Sequence, residues 1–97
     1  MTSSIDWGRV TGADVTRALD EYDSLGGQAF FAKHGFAPTT TYDLVREGQA
    51  YPPKAILGTA YELATGHRLA SGDFEGGRSG AVKVLTALGF TIRPKGA

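Results

Sequence analysis

Lys54 follows two prolines in the run Tyr51-Pro52-Pro53-Lys54-Ala55-Ile56, where a strand gives way to an apolar helix. A cation in the first turn of a helix opposes the macrodipole by roughly a few tenths of a kcal/mol, so local stability does not explain the residue. A bound anion would. The free N–H groups of that turn, Lys54 and Arg46 from the preceding strand together make a phosphate seat, and Tyr51 is placed to stack on a base or to pack beneath the hairpin. A second candidate is Gly76-Gly77-Arg78-Ser79-Gly80, whose glycines let backbone N–H groups approach a phosphate while Arg78 adds a fork of donors. Lys83 lies one turn into the helix that follows. The same residues also fit blander roles, a strand-to-helix corner and an ordinary glycine turn, with the lysine stem covering apolar surface.

Other chemistries are poorly served. The sequence has no cysteine and no asparagine, and its two histidines, His34 and His67, stand far apart. A thiolate centre is therefore absent, no metal-ligand spacing or paired nucleophile and base is found, and no cofactor is implied. Nothing matches a complete phosphate-binding loop with its lysine and Ser/Thr.

The elements that must position these residues follow from pattern. Thr11-Gly12-Ala13-Asp14 puts a hydroxyl cap before an acidic first turn, and Val15, Ala18, Leu19 and Tyr22 recur at helical spacing until Gly26-Gly27. A short helix through Gln28 to Lys33 ends at His34-Gly35. After a Pro38-Thr39-Thr40 connection, Thr41 to Arg46 alternates as a strand, with a turn at Glu47-Gly48-Gln49 and a return strand from Ala50 to Pro52. Pro53 is suited to the first position of a helix running to Ala64, stopped by Thr65-Gly66. The glycine-rich loop, under which Leu69 and Phe74 tuck, precedes a last helix from Ser79, its N-cap, to Leu88, with Val82, Leu85 and Leu88 facing inward. A strand from Phe90 to Arg93 closes the chain. The order α-α-β-β-α-α-β describes an α+β fold, helices on a small antiparallel sheet with a winged-helix likeness. One domain spanning 1–97 is expected, ordered from about 5 to 93, with Trp7 stapling the N-terminal segment to the core.

Composition sets the limits. With 97 residues, 41% hydrophobic and 21% charged, the chain is an ordinary globular one of zero formal charge. No apolar run reaches the roughly 20 residues that span a bilayer, and Asp6 stands where a secretion signal would carry its apolar centre, so a cytoplasmic location is expected and no membrane. Neutrality counts against nucleic acid, but the charge is divided: three basic residues against six acidic up to Asp43, seven against four from Leu44 onward. The second half can meet an anion while the first faces away.

Three anchors, Y-P-P-K-A-I at 51–56, F-E-G-G at 74–77 and L-G-F at 88–90, within a span from Gly12 to Ile92, resemble the N-terminal head domain of ScoMcrA-like restriction endonucleases. In that family the module precedes other domains, commonly an HNH nuclease and readers of modified DNA, in type IV defence systems. The resemblance implies an N-terminal module of a larger protein, beside the other domains of a parent nuclease. Together with the basic second half it favours a module that binds duplex DNA, mainly its backbone. The residues read above as anion contacts, Arg46, Tyr51, Lys54, Arg78, Ser79 and Lys83, are the expected site. None of the anchors is a catalytic signature, so the fragment itself is not expected to be an enzyme. The alternative is a protein-interaction or homodimerisation module docking through the acidic first helix, with Asp14, Asp20, Glu21 and Asp23.

Overall fold

The computed structural model describes residues 5–38 and 41–95. Thr39 and Thr40 of the expected connection lie outside the described residues, as do 1–4 and 96–97. Thr11 starts helix α1 (Gly12–Leu25): its hydroxyl accepts from the Asp14 N–H at 3.3 Å, and Asp14 Oδ2 accepts from the Thr11 N–H at 3.0 Å. This reciprocal pair satisfies donors that a helix start leaves orphaned. Gly26 ends α1 and leads straight into α2 (Gly27–His34), which a left-handed Gly35 terminates.

Strands β1 (Tyr42–Arg46) and β2 (Gln49–Tyr51) form a two-residue hairpin whose Glu47 and Gly48 have φ of 52° and 78°. Both positive values are the mark of a type I′ turn, which matches strand twist. The turn is one residue tighter than expected, so β2 begins at Gln49. Pro52 then caps α3 (Pro53–Thr65), the corner foreseen from the two prolines. From Ala55 to Tyr61 every residue of α3 is buried, as befits the central helix of a small core. Gly58 is required there, because a Cβ would lie 2.4 Å from the Phe36 ring.

The last helix differs from its expected start. α4 runs Ala81–Ala87 and its N-cap is Gly80, not Ser79, whose hydroxyl instead donates to Glu75 Oε2 at 3.1 Å. The loop decides this: the Ala81 N–H donates to the Glu75 carbonyl at 2.8 Å, which draws the backbone in at Gly80. Ala81 and Leu85 consequently form the buried face, with Val84 and Leu88 half-buried, whereas Val82 was expected inward. Strand β3 (Thr91–Pro94) starts and ends one residue later than expected and pairs antiparallel with β1, giving the order β2-β1-β3.

Four α-helices on a three-stranded antiparallel sheet make this an α+β fold among the described residues. Leu44, opposite both Tyr51 and Ile92, turns the sheet's apolar face to the core, and α1 lies along α3 with Val15, Ala18 and Leu19 buried. No helix among the described residues is long and apolar enough to cross a membrane.

Candidate nucleic-acid interface

The corner before α3 leaves two backbone donors without helical partners. Pro53 has no N–H, and the first intrahelical bond is Ile56 N–H to Pro52 C=O at 3.0 Å, so the N–H groups of Lys54 and Ala55 precede the ladder. No side chain caps this end. The Lys54 stem packs on Gly76, where a Cβ would lie 3.2 Å from its Cδ, and Nζ stands 5.4 Å from the Phe74 ring centroid. A cation over an aromatic face is weakly held there without losing its charge. Beside it opens a cleft of about 280 Å³ lined in part by Phe36, Thr41, Pro52, Lys54, Gly76 and Gly77. The proline corner and the glycine loop, separate in sequence, therefore share one wall.

Phe74 links this cleft to a second one. Its ring meets Trp7 edge-on with centroids 5.2 Å apart, and Trp7 meets Tyr61 at 5.4 Å, which fastens the N-terminal turn to the core. Ser79 and Lys83 line the groove on the far side of Trp7. Lys54, Arg78 and Lys83 form no ion pair with any described residue, and Arg78 and Lys83 are exposed.

Arg46 and Tyr51 belong to a different cluster. Arg46 Nη2 donates to Asp23 Oδ2 at 2.9 Å and to Asp20 Oδ1 at 3.3 Å, and Tyr51 donates its hydroxyl proton to Asp23 Oδ1 at 2.8 Å. The guanidinium lies over the buried Tyr51 ring, 5.5 Å from its centroid, and that ring meets Tyr22 edge-on at 5.3 Å. Burial raises the Tyr51 hydroxyl above its ordinary value; Arg46 pulls it down and Asp23 raises it again. The Tyr51 hydrogen bond, with help from Asp20, raises Arg46 against the cost of burial. Two residues expected at the phosphate thus fasten the hairpin to α1. Their packing role was one of the two readings of Tyr51; the Asp23 partner, 28 residues away, leaves no signal in local spacing.

The acidic residues of α1 are engaged inside the chain. Glu21 holds Lys33 Nζ at 2.6 Å and the buried His34 Nε2 at 2.6 Å, and Asp14 serves Thr11 and Arg17. Burial raises the Glu21 carboxyl, but Lys33 and His34 outweigh it and hold the group below the ordinary carboxylate value. Asp20 and Asp23 face Arg46.

A family model described as the ScoMcrA-like N-terminal head domain matches residues 8–94. The chain belongs to this family. Among solved structures it is similar to the type IV phosphorothioation-dependent restriction endonuclease ScoMcrA, with 32% identity and a TM-score of 0.67 over 92% of this chain. The chain spans 14% of the length of that endonuclease. No curated protein matches. The head-domain assignment agrees with the three anchors, and two of them, Y-P-P-K-A-I and F-E-G-G, meet where Lys54 packs on Gly76.

Proposed function

We propose that this head domain is an accessory, non-catalytic module of a modification-dependent restriction endonuclease, and that it contacts the backbone of duplex DNA. Lys54 is the central contact, with the free N–H groups of its turn and the Gly76-Gly77 backbone beside it; Arg78, Ser79 and Lys83 extend the surface. Arg46 and Tyr51 act through the hairpin they hold rather than by touching phosphate. The observation that carries this reading is that Lys54, whose Nζ lies over the Phe74 ring, and Lys83, which lines the groove at Trp7, form no ion pair with a described residue, whereas Arg17, Lys33, Arg46 and Lys95 do. Such contacts position a protein and read no sequence. Discrimination of modified from plain DNA belongs to other domains of the longer protein, to which 1–97 contributes one N-terminal unit.

The test is fluorescence anisotropy on labelled plain and phosphorothioated duplexes of the same sequence, with salt varied. Weak binding, equal on both duplexes and falling steeply with salt, is expected. No binding to either duplex at low salt would overturn the reading.

A further inference from the structure

Phe74 opens the anchor F-E-G-G, and its half-buried ring is fixed from two directions, edge-on to Trp7 at 5.2 Å and to Phe36 at 6.1 Å between centroids. The loop that carries it is tied on both sides. Before the ring, the Asp73 N–H donates to the Ala70 carbonyl at 3.0 Å and Asp73 Oδ2 accepts from the Ala70 N–H at 2.7 Å. After it, the Ala81 N–H donates to the Glu75 carbonyl at 2.8 Å. Phe74 is thereby a fixed platform.

The platform meets Lys54, whose Nζ lies 5.4 Å from the ring centroid. Behind the cation its stem runs along Gly76, where an added Cβ would stand 3.2 Å from the lysine Cδ and 3.3 Å from its Cβ. Any larger residue there would push the stem aside. The carboxylates flanking Phe74 turn to donors of the loop, Asp73 to the Ala70 N–H and Glu75 to the Ser79 hydroxyl at 3.1 Å, and neither pairs with Lys54. An aromatic face orients an ammonium without cancelling the charge that a phosphate needs.

We infer that Phe74 is a positioning residue: with Gly76 it holds the Lys54 ammonium beside the cleft in the arrangement that meets a DNA phosphate, and the cation stays on the ring when the phosphate is bound. The role rests on the phosphate contact proposed for Lys54. A free lysine side chain gives up rotamer freedom when it is immobilised on a ligand, and one already held on a ring gives up less. One anchor of the sequence carries the cation, and the other carries its seat.

A labelled plain duplex is titrated with the 97-residue chain and with Phe74→Leu, Phe74→Tyr and Gly76→Ala, each also made in a Lys54→Ala background. Phe74→Leu and Gly76→Ala should each weaken binding about threefold and leave the salt slope unchanged, because the charge remains while its aim is lost. Phe74→Tyr keeps the ring face and should bind as the unaltered chain does. In the Lys54→Ala background the same changes should have no further effect, a non-additivity that general damage to the fold would not produce. Equal losses with and without Lys54, or full affinity in both Phe74→Leu and Gly76→Ala beside a loss in Lys54→Ala, would overturn the inference and leave the phosphate contact standing. A second readout needs no DNA: the ring current of Phe74 should hold the Lys54 Cε protons upfield in the free chain, and Phe74→Leu should release them. Protons at their ordinary position in the unaltered chain would overturn the inference whatever DNA does. Upfield protons together with full DNA affinity in Lys54→Ala would instead sink the phosphate contact, and this role with it.

Discussion

Lys54 and Arg46 carry the same charge on either side of the Tyr51 corner, yet their surroundings give them opposite roles. Lys54 sits against Gly76 and Phe74 with no carboxylate partner among the described residues, so Lys54→Ala should change stability by no more than about 0.5 kcal/mol. The same change should lower the slope of log affinity against log salt by about one unit on duplex DNA. Arg46→Ala should do the reverse in thermal melts. It leaves Asp23 and the buried Tyr51 hydroxyl with a missing partner and should cost about 1–2 kcal/mol, restrained by the exposure of Asp20. Glu21 adds a pH dependence. Its carboxyl is held below the ordinary value in the folded chain, so its contribution is present above the unfolded-state value and is lost as pH falls through the lowered one. Melting temperature should therefore drop below about pH 4, and Glu21→Gln should flatten that acid limb while lowering stability at neutral pH. An unaltered acid limb in Glu21→Gln would show that His34 and Lys33 do not act through this carboxylate.

At the scale of elements, the boundaries legible in the sequence are those set by residues acting on their own backbone. Thr11 with Asp14 starts α1, Gly35 and Gly66 adopt the left-handed conformation that stops α2 and α3, and Pro52-Pro53 turns β2 into α3. The start of α4 was not legible, because a carbonyl six residues earlier in the loop sets it. A Cβ on Gly80 would lie 2.0 Å from the Glu75 carbonyl oxygen, a backbone atom that cannot step aside. Gly80→Ala should accordingly cost about 2–3 kcal/mol. Gly77→Ala, in the same loop with nothing within 4 Å of the added carbon, should be close to neutral. Comparable losses in the two variants, measured by urea unfolding, would mean that the loop's conformational freedom and not its packing matters. For the candidate site, the residue types at Lys54, Arg78 and Lys83 were legible. The diversion of Arg46 and Tyr51 to Asp20 and Asp23 was not, since it depends on α1 lying beside the hairpin, a tertiary arrangement that no local pattern encodes.

For the whole molecule, zero formal charge conceals a division that folding sharpens. Carboxylates of α1 are consumed by Lys33, His34, Arg46 and Arg17, while cations beside Trp7 and Phe74 remain available. An accessory role predicts that the pure 97-residue chain, given magnesium or manganese, cuts neither plain nor modified DNA; metal-dependent cleavage on a gel would refute it. The central claim, that DNA meets the face bearing Lys54 and the glycine loop, is tested most directly by amide chemical shifts of the labelled chain titrated with a plain duplex. The account predicts shifts concentrated at Lys54, Ala55, Gly76, Gly77, Arg78 and Ser79, with Asp20, Asp23 and Leu25 unmoved. Shifts confined to α1 and the Arg46 cluster, or none at all under low salt, would contradict it.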